Sequence, residues 1–167
     1  VPVDFIHGNG EGAVLDALAS RQMPRVPQRY HGMMHWVARE LGAEHGRTLG
    51  AWPKTFRLTI PGVGGVLFCH ATPRDDNEIF TRRTAEERLL PIFEGLDAAV
   101  VVCGHTHMQD DRMVGEVRVV NAGSVGMPFG EPGAYWLLLG ADVRLQRTEY
   151  DLAKAAAQIR TTGYPEA

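Results

Sequence analysis

The sequence has few cysteines and no long apolar run. Neither Cys69 nor Cys103 has a second cysteine within a few residues, so zinc-finger spacing is absent. Each cysteine ends an apolar run, which is more typical of a buried, reduced thiol than of a disulfide. No stretch reaches the roughly 18 apolar residues that span a bilayer, and the N-terminus lacks signal-peptide regions. These absences predict a cytoplasmic protein without a membrane segment.

An excess of charge of one sign is also missing. Lys and Arg total 17 against 20 Asp and Glu, which gives a net charge of −3 with no long run of like charge. This balance argues against an electrostatic binder of nucleic acid or of a membrane surface. The 44% apolar content excludes disorder. Since a domain takes about 150 residues, the 167 residues predict one domain over 1–167.

Strand and helix patterns alternate along the first half of the chain. Val3 to Ile6 has the pattern of a strand end, and the glycines of residues 7–12 predict a tight loop. The remaining predicted elements are helices over 13–21 and 28–41, a hairpin of 56–60 and 66–69, a helix from Thr84 to about Phe93 opened by a capping box, a buried strand over 98–103, a meander of 112–114, 117–120, 135–139 and 143–149, and a helix capped by Asp151 whose apolar side chains face inward. This order predicts an α/β fold, with functional residues in loops at strand ends.

Metal-ligating side chains open three loops that follow apolar strands. They are Asn9, His70, and the pair His105 and His107. Two histidines separated by one residue can reach neighbouring positions on one metal or on two, and Gly104 allows close backbone approach. Imidazole nitrogens with one amide oxygen suit manganese, iron or zinc better than calcium. The three loops therefore predict a site for divalent metal ions.

Each candidate also has a simpler interpretation. A single histidine on a turn is usually solvated or hydrogen-bonded, and only the joint order of the loops favours ligand roles. Asp75, Asp76 and Glu78 favour a solvated loop over a substrate entrance, and Arg82, Arg83 and Arg88 favour a solvated helix face over a phosphate site. His31 and His35 share a helix face, but without the glutamate of a zinc motif they favour a surface or packing role.

Four segments carry a family resemblance: Gly8 to Glu11, the strand end at His70, Gly104 to His107, and Asn121 to Gly126. In order and spacing they resemble the calcineurin-like metallophosphoesterase superfamily, especially its small bacterial phosphodiesterases, from Val3 to about Tyr164. The resemblance implies a four-layer α-β-β-α sandwich of two mixed sheets flanked by helices.

The resemblance also implies a dinuclear metal site with catalytic ligands. Asn9, His70 and His105 would hold one ion and His107 would contribute to the other. The implied reaction is hydrolysis of a small-molecule phosphodiester or phosphomonoester, by attack of a metal-bound hydroxide on phosphorus.

The sequence departs from the family pattern at two places. An Asp-x-His strand end and a Gly-Asp segment, whose aspartate bridges the two metals, do not occur upstream of Val3. We therefore expect the chain to be the C-terminal part of a longer polypeptide, to lack the first strands of the fold, and to bind at most one ion tightly. Gly10 stands where phosphatases of the family often carry a proton-donating histidine, which disfavours alkyl phosphomonoesters.

The missing ligands also leave an alternative of another class. The chain would then be a catalytically silent scaffold or protein-interaction subunit with the same fold, as the retromer scaffold subunit of this superfamily is. Self-association is open as well, because an exposed edge strand of the meander could pair with a second copy.

Overall fold

The structure is a computed structural model that describes residues 2–165. Contacts divide it into two compact units, one formed by the chain up to Pro53 together with the part after Tyr150, the other by Lys54–Tyr150. The single-domain interpretation stays a prediction. The elements, in chain order, are α1 (Asn9–Leu18), α2 (His31–Gly50), β1 (Thr55–Ile60), β2 (Gly64–Cys69), α3 (Glu86–Phe93), β3 (Val100–Cys103), β4 (Asp110–Val114), β5 (Val117–Asn121), β6 (Ala134–Leu139), β7 (Val143–Thr148) and α4 (Leu152–Arg160).

Five strands of the second unit form one mixed sheet in the order β1-β2-β3-β5-β4. The predicted hairpin is confirmed as β1 and β2, which pair antiparallel from Thr55 opposite Cys69. The predicted meander is wrong in part, because β5 lies parallel to β3, and β6 pairs with β7 in a separate sheet. The reason is burial. Strands β3 and β5 are almost wholly buried, as central parallel strands are. In β4, half-buried and exposed side chains alternate, and this strand lies at the edge of the sheet.

The apolar side chains of this sheet form two clusters. Val101 and Val119 pack with Phe93 of α3, whose side chain is fully buried. Val100 packs in the second cluster with Val143 of β7. Within this unit, helix, five-stranded sheet and two-stranded sheet thus follow one another in layers, and the predicted α/β class is confirmed.

Helix α3 starts without the predicted capping box. Its N-cap is Ala85, and the Thr84 hydroxyl instead accepts a hydrogen bond from the backbone N–H of Thr81 at 2.9 Å. The hydroxyl therefore closes the preceding turn, so the prediction of a Thr84 cap is wrong. Pro91 lies inside the helix, as the sequence indicated.

The first unit contains helices α1, α2 and α4. The predicted strand at Val3–Ile6 is wrong: residues 2–8 have no regular structure, and the Phe5 ring stacks on Trp52 with centroids 4.6 Å apart. Helix α1 begins at Asn9, earlier than predicted, because the Glu11 carboxylate accepts the backbone N–H of Gly8 at 2.8 Å.

No helix among residues 2–165 is both long and apolar enough to cross a membrane.

Three predictions about the helices of this unit have different outcomes. Helix α2 does not end at Gly42, which takes φ +69° and bends the helix before it continues to Gly50. The Asp151 cap is confirmed, since its carboxylate accepts the Lys154 N–H at 2.9 Å. The predicted inward face of α4 is wrong in part, because Leu152 and Ile159 are exposed, whereas Ala155 and Ala156 are half-buried.

Candidate metal centre

Three neighbouring parallel strands end at one edge of the five-stranded sheet. Residue His70 follows β2, Gly104 to His107 follow β3, and Asn121 ends β5. Short hydrogen bonds join the three ends: Gly104 N–H donates to the His70 carbonyl at 2.9 Å, and Ala122 N–H donates to the Cys103 carbonyl at 2.8 Å. The carboxyl edge of a parallel sheet is where α/β proteins bind ligands.

The structure brings two of the predicted ligands together. His70 Nε2 and His105 Nδ1 are 3.1 Å apart, and the two rings meet edge to face with centroids 5.0 Å apart. Two nitrogens that each lie about 2.1 Å from one ion, at angles between octahedral and tetrahedral, are roughly 3.0–3.4 Å from each other. The spacing of this histidine pair therefore fits two adjacent ligand positions on one divalent ion.

The surroundings of His105 favour its neutral form. Burial lowers the pKa of its imidazole, and the neighbouring His107 lowers it further, while a backbone hydrogen bond with Asn77 and the charges of Asp76 and Asp75 act in the opposite direction. The net shift is downward. Because a metal ligand must offer an unprotonated nitrogen, this shift suits a ligand role at neutral pH.

His107 has one ring nitrogen committed to the protein. Its Nδ1 lies 2.8 Å from the Met127 carbonyl, which can only accept, so Nδ1 carries the proton. In the neutral ring the lone pair is then on Nε2. Metal-binding histidines commonly have this arrangement, in which one nitrogen donates to a backbone carbonyl and the other faces the metal.

The turn that carries both histidines is strained. His105 and His107 have φ of +60° and +58°, in the left-handed region that costs a side-chain-bearing residue of order 1–3 kcal/mol. The turn is held closed by Thr106 N–H, which donates to the Gly104 carbonyl at 2.7 Å. Backbone strain of this kind concentrates at functional sites.

The side chain of Asn121 stabilises this turn through hydrogen bonds. Its side chain is buried, and its amide donates to the Gly104 carbonyl at 2.5 Å and to the Thr106 hydroxyl at 2.9 Å. The side-chain oxygen Oδ1 of Asn121 accepts a hydrogen bond from the Gly123 N–H at 2.9 Å. The sequence indicated Asn121 only as the start of a motif loop. A polar residue ending a buried valine strand was the available signal for this role.

Gly123 fits the same loop closely. It takes φ +85°, and a Cβ atom there would lie 2.8 Å from the Tyr135 Cβ and 2.9 Å from the Gln109 Cγ. Both the backbone conformation and the available space therefore require glycine.

The segment after His70 is ordered by side chains. The buried Thr72 hydroxyl donates to Glu78 at 2.8 Å, and the Arg74 guanidinium contacts the same carboxylate. The hydrogen bond from Arg74 is the main cause that lowers the pKa of Glu78. Asp76 pairs with Lys54 at 3.2 Å. Glu78 and Asp76 are half-buried and bonded, so the prediction of a solvated loop is wrong for them.

Two predicted candidates belong to the first unit. Asn9, in the first unit, is the first residue of α1, and its ligand role stays a prediction. His31 Nε2 donates to the Val26 carbonyl at 2.8 Å, which confirms a packing role. Across residues 2–165, no group of three or more His, Cys, Asp or Glu side chains is placed to hold a metal. The ligand roles of His70, His105 and His107 therefore stay predictions.

Comparison with known proteins identifies a family. A model of the calcineurin-like phosphoesterase superfamily domain matches residues 1–142. The chain is similar to the structure of a hypothetical protein from Pyrococcus horikoshii, with 18% identity and a TM-score of 0.80 over 98% of this chain and 69% of that one. It is also similar to a metallophosphoesterase from Sphaerobacter thermophilus, with 22% identity and a TM-score of 0.66 over 96% and 72% of the two chains. Comparison with curated proteins finds no match. The two structures confirm the predicted fold.

We predict that Asn121→Ala lowers the free energy of unfolding by about 2–4 kcal/mol, because it leaves buried polar groups without partners. Urea denaturation measures this change. Ser124→Ala is the matched control, since it removes one solvent-exposed hydrogen bond, from the Met127 N–H to the Ser124 hydroxyl, in the same loop. We expect it to change stability by no more than about 0.5 kcal/mol. Equal losses in the two variants would contradict the role of Asn121.

Proposed function

Because the chain belongs to the calcineurin-like phosphoesterase superfamily, we propose that it hydrolyses a phosphate ester with the help of a divalent metal ion. The observation that carries the proposal is the 3.1 Å spacing of His70 Nε2 and His105 Nδ1 at the carboxyl edge of the sheet. Such spacing suits two ligands of one ion. Manganese, iron and zinc are the proposed ions, because imidazole nitrogens favour them over calcium.

A divalent ion held by His70 and His105 at this edge would supply Lewis-acid stabilisation of the phosphoryl oxygens and would lower the pKa of a water molecule that serves as nucleophile. The proposed ligand atoms are His70 Nε2 and His105 Nδ1. His107 Nε2 is the proposed contribution to a second ion, as the family resemblance implies. Asn9 stays a predicted ligand of the first ion.

The remaining residues position these ligands. Asn121 fixes the turn that carries His105 and His107, and the Met127 carbonyl fixes the proton of His107 on Nδ1. Burial lowers the pKa of the His105 imidazole, which favours the neutral form of the ring. The edge is thereby preorganised, so the side chains need little rearrangement when the substrate binds.

The proposed substrate is a small phosphodiester or a phosphomonoester with a good leaving group. Gly10 offers no side-chain proton, so the leaving group must depart without a histidine at that position. Alkoxides need such a proton far more than phenolates do, because their conjugate acids are much weaker. Phosphodiesters and activated esters are therefore the proposed class.

The cytoplasm is the proposed compartment, and the two thiols support it. Cys69 and Cys103 are both free and buried, as predicted, and burial raises the pKa of Cys69 to about 12. Unreactive reduced thiols suit a reducing compartment. Self-association through the sheet stays a prediction, with β1 and β4 as the edge strands of the larger sheet.

We predict that stripping the metal abolishes hydrolysis of bis(4-nitrophenyl) phosphate and that added Mn²⁺ restores it. His70→Gln and His105→Gln should each lower the restored kcat/KM at least about 100-fold. Removal of a metal ligand is expected to reduce activity at least as much as removal of a residue that hydrogen-bonds to a ligand. His35→Gln is the matched control, since His35 is an exposed histidine of α2. Activity that survives stripping would contradict the proposal. A folded, metal-supplied protein without activity would favour the scaffold alternative.

We also predict that the chain holds at most one ion tightly after dialysis at neutral pH. Asn9, His70 and His105 are the proposed ligands of one ion, whereas His107 alone cannot compete with water for a second ion. Elemental analysis of the dialysed protein measures the stoichiometry. Two tightly held ions per chain would contradict this prediction and would point to Glu11, Asp75 or Asp110 as unrecognised ligands.

A further inference from the structure

The loop between β5 and β6 exposes apolar side chains beside the candidate metal centre. Val125, Met127 and Phe129 have exposed fractions of 64%, 71% and 73%. All three lie within five residues of chain, in a segment that contacts His107. A cluster of exposed apolar side chains next to a functional site commonly marks a binding surface.

The loop is held in place rather than loose. The Met127 carbonyl accepts from His107 Nδ1 at 2.8 Å, and Phe129 N–H donates to the His107 carbonyl at 3.1 Å. The Ser124 hydroxyl accepts the Met127 N–H at 3.0 Å, and Pro128 restricts the backbone between the two anchors. The position of Phe129 is therefore fixed relative to His107.

The Phe129 ring lies next to the His107 ring. Their centroids are 6.3 Å apart at an interplanar angle of 40°, and most of the phenyl surface is open. If a phosphate bound at the histidines, an aromatic ring attached to that phosphate would be close enough to contact the exposed Phe129 ring. Planar groups stack on such an aromatic face with a gain of about 1–3 kcal/mol.

We propose that Phe129, supported by Met127, is a specificity-determining platform that binds a planar aromatic group attached to the substrate phosphate. The proposal rests on the proposed phosphoesterase function and names its substrate class. Aryl esters and nucleotides share this chemistry. A single phenyl ring next to the phosphate, or a nucleobase one sugar away, would occupy the same surface.

Size and charge favour a small ligand over a macromolecule. Three side chains expose a few hundred Å² at most, whereas a stable protein interface buries about 800 Å² on each partner. Residues 121–134 contain no lysine or arginine, and Glu131 is their only charged side chain. A nucleic-acid polymer needs positive charge along its path.

The test compares two phosphonates that differ only in the group on phosphorus. Calorimetry on the Mn²⁺-supplied protein measures the dissociation constants of phenylphosphonate and methylphosphonate. We expect phenylphosphonate to bind about tenfold more tightly. Phe129→Ala should reduce this preference to about twofold or less, and Phe129→Trp should keep it. Met113→Ala is the matched control, because Met113 is an equally apolar, exposed residue on β4, and it should keep the full preference.

A second pair, adenosine 5′-monophosphate and ribose 5-phosphate, identifies the source of the aromatic group. A preference that depends on Phe129 in either pair supports the platform, and the pair that shows it names the class. Equal binding of both phosphonates and of both ribose phosphates overturns the platform while the phosphate site stands. If no ligand binds, both proposals fail. Self-association that Phe129→Ala abolishes would assign the patch to a second copy and overturn the platform.

Discussion

The candidate site depends on the register of three parallel strands. Cys103 of β3 pairs with Asn121 of β5, and Phe68 of β2 pairs with Val102 of β3, so the three strands end level with one another. A shift of one residue in any strand would exchange the side chains that face the two core clusters and would move its terminal residue from the edge. Core packing of valine and leucine side chains on both faces of the sheet therefore fixes where the histidines lie.

The same edge combines two features that oppose stability. Asn121 is a polar side chain in a buried position, and His105 and His107 have a left-handed backbone. The two features compensate each other. The buried amide of Asn121 finds hydrogen-bond acceptors in the turn, and its hydrogen bonds to the Gly104 carbonyl and the Thr106 hydroxyl stabilise the left-handed backbone there. Buried polar networks stabilise only when every member is bonded, and this one also orients the rings. Strain and hydrogen bonding at this edge thus belong to one arrangement.

The sequence allowed the family, the α/β class and the histidine pair to be predicted, because these depend on motif spacing and on apolar runs. His70 and His105 come together as expected from two strands that end side by side. The role of Asn121 and the order of the segment around Thr72 were missed, since both depend on contacts between residues distant in the chain. The strand predicted at Val3–Ile6 failed because a strand needs a partner, and stacking on Trp52 occupies this segment instead. The parallel position of β5 also needed tertiary information, since alternation alone does not reveal direction.

The proposed metal centre requires that His70 Nε2 and His105 Nδ1 bind the same ion. A crystal structure of the Mn²⁺-supplied protein, with anomalous data collected at the manganese absorption edge, tests it directly. We expect one strong anomalous peak bonded to both nitrogens, at roughly the 2.1 Å typical of nitrogen ligands to such ions. A peak bonded to only one of the two nitrogens, or located elsewhere with both histidines still in mutual contact, would contradict it.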